Sequence, residues 1–70
     1  MENMLNAIEI GMRIRKLRGI RTQKGLAEAL GISQNSLGNY EKGRRIPPDD
    51  VKVRMASYFG VDIKDLFYTP

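Results

Sequence analysis

Cysteine and histidine are absent from this chain of 70 residues, and three tyrosines and two phenylalanines are its only aromatics. Without cysteine there are no disulfides and no thiolate metal sites, which fits a reducing cytosol. Without histidine as well, the usual zinc ligands are missing, and so are the Ser-His and Cys-His pairs and the commonest general base. That combination weighs heavily against an enzyme, and neither a metal nor any other cofactor is expected. So few aromatics also argue against a stacking platform for RNA. No apolar run approaches the roughly 20 residues of a membrane span, and no cleavable signal pattern opens the chain. The expectation is a soluble cytoplasmic protein with no membrane partner and no evident small-molecule ligand. Residues 1–70 read as one domain, near the size at which a single core keeps only a few kcal/mol in reserve.

Charge is what the chain does have, and it is unevenly spread. The net charge is +4. Between Ile10 and Ala27 stand Arg13, Arg15, Lys16, Arg18, Arg21 and Lys24, with no acid among them. Lys42, Arg44 and Arg45 form a second cluster, whereas Glu2, Glu9, Asp49, Asp50, Asp62 and Asp65 lie outside both. This asymmetry points to an anionic partner, nucleic acid ahead of a membrane surface. A solvated basic face is the plain alternative.

Hydrophobic spacing is helical from end to end. Ala7, Ile10, Ile14 and Leu17 recur at three and four, with Asn6 and Glu9 spaced as a capping box and Gly19 as a stop. Leu26, Ala27 and Leu30 mark a second helix, with Thr22 as its N-cap and Gly31 at its end. Ser33 can cap a third, from about residue 34 to 41, that carries Leu37 and Tyr40 inward and closes at Gly43. Pro47 and Pro48 enforce a break, after which Asp49 or Asp50 can cap a fourth helix marked by Val51, Met55, Ala56 and Phe59 and ended by Gly60. Asp62 and Asp65 open a short fifth with Ile63, Leu66 and Phe67. Leu26, Leu30, Leu37, Met55 and Phe59 are assigned to the core. No run alternates as a strand would. The ordered part is expected at about residues 6–67, with looser ends that include Tyr68, Thr69 and Pro70.

Two short helices joined by a tight turn with glycine make the helix-turn-helix layout, in which the second helix enters the major groove of DNA. Thr22-Gln23, then the run from Leu26 to Leu37 (LAEALGISQNSL), resembles the central motif of the Cro/CI-type, or XRE-like, repressors. The continuation YEKGRRIP and the closing YFGVDIKDLF resemble two further signatures of that family. The resemblance implies a compact all-α, five-helix, lambda-repressor-like domain that binds double-stranded DNA, most often as a homodimer. Two departures stand out: the link RGIRTQ is shorter than usual, and Gly38 replaces the customary polar residue. Glycine in a helix interior costs about 1 kcal/mol relative to alanine. Its uses are either a close approach of the helix to DNA or none at all.

Residue roles follow from position and chemistry. Gln34, Asn35, Ser36 and Asn39 are the candidate base contacts, because amides can pair two-pronged with adenine. Ser36 has two other readings, a phosphate contact or a bond to its own backbone. Gln23 at the start of the second helix, together with Lys42, Arg44 and Arg45, are candidate phosphate contacts. The resemblance adds an Arg18–Glu41 ion pair that ties the first helix to the third and presents Arg18 to phosphate. It also places dimerisation at the C-terminal region, where Val61, Phe67 and Tyr68 either meet a second copy or finish the monomer core. The expected function is a sequence-specific transcriptional regulator, a bacterial or phage repressor on a palindromic operator, resident on the nucleoid. The alternative is an antitoxin-like or other protein-interaction module on the same fold.

Overall fold

Four of the five helices begin at a side chain that bonds back to its own first turn. In the computed structural model, which describes residues 4–68, Asn6 Oδ1 accepts from the Glu9 N–H at 2.8 Å, Thr22 Oγ1 from Gly25 at 2.9 Å and Ser33 Oγ from Ser36 at 3.0 Å. Each bond satisfies one of the N–H groups that a helix start leaves without a partner. The elements are α1 (Ala7–Arg18), α2 (Gln23–Leu30), α3 (Gln34–Glu41), α4 (Asp49–Phe59) and α5 (Ile63–Phe67). No strand occurs among the described residues. None of the helices is long and apolar enough to cross a membrane.

The start of α4 differs from expectation. Pro48 is its N-cap, no side chain closes the cap, and Asp49 and Asp50 stand inside the first turn. With Pro48 held extended (φ −67°, ψ 165°), its own carbonyl accepts from Val51 and Lys52. The two carboxylates act through charge instead, near the positive end of the helix dipole. Asp62 does cap α5, accepting from Lys64 N–H at 3.0 Å. At the other end of α3 the cap residue is Lys42, and Gly43 follows with φ 75°. The Gly43 N–H reaches Tyr40 O and the Arg44 N–H reaches Asn39 O, a Schellman closure that requires the left-handed residue.

Every helix contributes to the core, which gathers Ile10 and Ile14, Leu26, Ala27 and Leu30, Leu37 and Tyr40, Val51 and Met55, and Leu66 and Phe67. α1 packs on α3 and α5, while α2 packs on α3 and α4. Phe59, expected inside, is half-buried at the edge and meets Tyr58 edge to face at 5.4 Å. Phe67 is fully buried, so of the two readings of the C-terminal residues it takes the core one and has no surface to offer a second copy. The expectation of looser ends falls on residues outside the described range except at Met4, Leu5 and Tyr68; Tyr68 is half-buried and donates its N–H to Lys64 O at 2.9 Å. Leu5 N–H bonds Phe67 O at 2.8 Å, fastening the chain's start to α5. Lys52 is buried, with its ammonium 5.7 and 5.5 Å from the centres of the Phe67 and Tyr68 rings and 3.4 Å from Asp49. Aromatic faces and one carboxylate thus take the place of water around that charge.

Among the described glycines, the tightest site lies where α1 meets the end of α3. Gly11 is buried in the middle of α1, and a Cβ there would lie 2.5 Å from the carbonyl oxygens of both Tyr40 and Glu41. Because those atoms are backbone, only separation of the helices could relieve the clash. Gly11→Ala is therefore expected to destabilise the domain by at least about 2 kcal/mol, in the upper part of the range for overpacked sites. Urea denaturation followed by circular dichroism measures it, and a midpoint equal to that of the parent would refute the close crossing.

Candidate nucleic-acid interface

α2, the turn 31–33 and α3 form the helix-turn-helix unit. Gly31 ends α2 in the left-handed conformation (φ 71°), and Ser33 starts α3 two residues later. Leu26, Leu30 and Leu37 face the core, which turns the polar side of α3 to solvent. Arg54 of α4 braces the turn, donating through Nη1 to Leu30 O at 2.9 Å and pairing through Nη2 with Asp50 at 2.9 Å.

An open groove of about 410 Å³ lies along that polar side, lined by Gln23, Gln34, Asn35, Gly38, Asn39, Lys42 and Arg44. Amides and cations line it, with no carboxylate among them. Of the sequence candidates, Gln34, Asn35, Asn39, Gln23, Lys42 and Arg44 are therefore brought together on one surface. Arg45 is exposed but stands off this groove. Ser36 also stands off it: its hydroxyl accepts from Ser33 Oγ at 2.9 Å, a local bond at the start of the helix. Its place outside the lining sets it apart from Gln34, Asn35 and Asn39.

Behind the groove sits a charged strut. Glu41, whose side chain is 4% exposed, accepts from Arg18 Nε at 2.7 Å, Arg18 Nη2 at 3.1 Å and Gln23 Nε2 at 3.0 Å. Arg18 Nη1 donates to Arg21 O at 2.7 Å, so every nitrogen of the guanidinium is engaged within the protein. The resemblance implied a phosphate role for Arg18 as well, but its hydrogen bonds instead go to holding α1, the link after it and α3 in register. Gln23 is likewise fixed from behind, its amide nitrogen on Glu41. The hydrogen bond to Glu41 is the main cause that raises the Arg18 pKa above its ordinary, already strongly alkaline value. Attraction to the carboxylate adds to that rise, and burial opposes it. A raised folded-state value means that the charge's contribution is complete below the ordinary value and is lost only as pH climbs through the raised one. It is thus constant across neutral and mildly alkaline pH.

Gly11, Arg54 and the Arg21–Tyr58 contact, with the guanidinium 5.7 Å from the ring centre, escaped the sequence reading. For Gly11 the signal was present: a lone glycine inside a strong amphipathic helix often marks a close packing contact. For Arg54 the i,i+4 spacing from Asp50 was legible, but its bond to Leu30 O and the contact of Arg21 with Tyr58 were not, since those partners lie on other elements.

A five-helix domain whose second and third helices present this groove defines the class of helix-turn-helix DNA-binding proteins. The sequence pattern of the helix-turn-helix family matches residues 12–66. The chain is 39% identical over 46 residues to an uncharacterized HTH-type transcriptional regulator of Methanocaldococcus jannaschii, MJ0272, covering 66% of this chain and 70% of that one. With another such regulator, YazB of Bacillus subtilis, identity is 51% over 39 residues, covering 53% and 56% of the two chains. Among solved structures, the restriction-modification controller protein C.AhdI of Aeromonas hydrophila superimposes with a TM-score of 0.77. It is 25% identical, and the match covers 87% of this chain and 96% of that one. The protein belongs to the XRE-type helix-turn-helix family of DNA-binding transcriptional regulators, whose members are not enzymes.

The strut gives a quantitative expectation. Glu41→Ala leaves Arg18 and Gln23 without their acceptor and is expected to cost about 2–4 kcal/mol, with Arg18–Glu41 coupling above about 1 kcal/mol in a double-mutant cycle. The exposed Arg54–Asp50 pair serves as the reference, at or below about 1 kcal/mol. Equal coupling energies for the two pairs would show that burial adds nothing.

Proposed function

We propose that the protein is a sequence-specific repressor that binds a palindromic operator in double-stranded DNA as a dimer. The observation that carries this reading is the single groove in which three amides of α3 stand beside Gln23, Lys42 and Arg44. Gln34, Asn35 and Asn39 are the base-reading groups, suited to the N6 and N7 edge of adenine. Lys42, Arg44 and Arg45 grip phosphates and set the register, and Gln23 meets a phosphate at the N-terminus of α2. One short helix touches few base pairs, so useful specificity asks for two copies on half-sites about 34 Å apart.

The pairing face proposed is the C-terminal one. Val61 lines an open, mostly apolar cleft of about 270 Å³ with Leu17 and Leu66, rimmed by Arg13, Lys16 and Asp65. Val61 remains available there, the half-buried Tyr68 stands outside that lining, and basic and acidic rims of one copy suit those of another. The mode of action proposed is occlusion, with the bound dimer covering a promoter.

The test is selection of bound fragments from the host genome by the purified protein at near-physiological salt. Recovery of a short inverted repeat supports the reading; recovery of random fragments that vanish as salt rises would refute it and favour a protein partner. On the recovered site, Gln34→Ala is expected to lower specific affinity with little change on random DNA. Arg44→Ala should weaken both and reduce the salt slope by about one contact. Equal loss on specific and random DNA would remove Gln34 from the reading set.

A further inference from the structure

Gly38 is the one residue lining the groove that brings no side chain to it, and nothing in the fold calls for glycine there. Glycines with positive φ among the described residues are Gly19, Gly31, Gly43 and Gly60, so Gly38 has an ordinary helical backbone. No neighbour crowds it either. A Cβ at Gly38 would lie 3.8 Å from Gln23 Oε1 and 4.0 Å from Gln23 Nε2, ordinary contact distances, in contrast with the 2.5 Å clash at Gly11. Yet glycine in this eight-residue helix costs stability that alanine would return.

A Cβ at this position would have one neighbouring side chain within 4 Å, that of Gln23, with the rest of the position open to the groove. Gln23 forms one side, and its carboxamide is held from behind by the 3.0 Å bond to Glu41. Gln34 and Asn35 lie four and three residues before Gly38, so all three share the face of α3 that meets the groove. In the major groove the base edges present hydrogen-bonding groups and one apolar projection, the C5-methyl of a pyrimidine. A notch that accepts a carbon without crowding, flanked by amides suited to base edges, matches that projection.

Resting on the DNA-binding reading above, we propose that Gly38 forms a notch that receives the C5-methyl group of a thymine, so that the operator half-site carries a fixed thymine opposite it. 5-Methylcytosine presents the same group and would be accepted at the same position. The amides read hydrogen-bonding edges while the notch reads a methyl, a second kind of information from one helix.

The experiment uses the selected operator duplex with each thymine replaced singly by deoxyuridine, titrated against the parent protein and Gly38→Ala, with a random duplex as control. For the parent, one replacement per half-site is expected to weaken binding about fourfold, the effect of losing one buried methyl. For Gly38→Ala that same replacement should have no effect, because the alanine methyl already fills the notch, and the thymine operator should bind less tightly than to the parent. The variant should also melt at a higher temperature, which excludes misfolding as the cause. At the sensitive position, cytosine should be improved by 5-methylation in the parent and not in the variant. A flat deoxyuridine profile in the parent, or the same profile in both proteins, overturns the notch while leaving DNA recognition intact. Binding of operator and random duplex with equal affinity overturns the DNA reading itself, and the notch with it.

Discussion

The crossing of α1 over the end of α3 is the contact on which the other features depend. At Gly11 the two backbones meet with no side chain between them, and a second glycine, Gly43, faces Ile8 where a Cβ would stand 2.9 Å from its Cα. Two glycines on opposite partners let α1 lie directly against the last turn of α3. That proximity brings Arg18, at the end of α1, within reach of Glu41. It also explains how an eight-residue helix with a glycine in its middle stays folded. Isolated helices of this length are marginal, and their stability in proteins comes from packing.

The structure divides labour between a fixed back and an open front. At the back, Glu41 gathers Arg18 and Gln23, while Arg54 bonds the last carbonyl of α2. At the front, Gln34, Asn35, Asn39, Lys42 and Arg44 line the groove and belong to no such network. Restricting a scaffold while leaving the groove side chains accessible lowers the ordering cost of recognition. The same division accounts for Arg18. A guanidinium whose nitrogens all donate within the protein serves to position its neighbours, and the more exposed cations near the groove are those suited to phosphate.

Much of this was legible in the sequence, and the successes share a cause. Asn6, Thr22 and Ser33 act within three residues of themselves, and the stripe of Ile10 and Ile14 repeats within two turns, so local spacing was enough. The misreadings were residues with more than one local option. Asp49 and Asp50 had the chemistry of caps, yet the prolines before them put the cap position one residue earlier. Ser36 was left between base, phosphate and local bonding, and its hydroxyl accepts a bond from Ser33. Phe67 was left between core and interface, and its full burial followed from how α5 folds back on α1 and α4.

By itself the sequence determined that the protein is all helical, where its helices begin and end save for the start of α4, and that its charge invites an anionic partner. These are properties of neighbours along the chain, written in caps, glycines and periodicity. Tertiary structure alone decided which glycine was a necessity and which a vacancy. Gly11 and Gly38 each sit inside a helix, and although the amphipathic pattern around Gly11 hints at packing, local sequence does not say what either one faces. One faces two carbonyl oxygens of another helix and the other faces an open groove, a difference that exists only once α1, α2 and α3 are packed together.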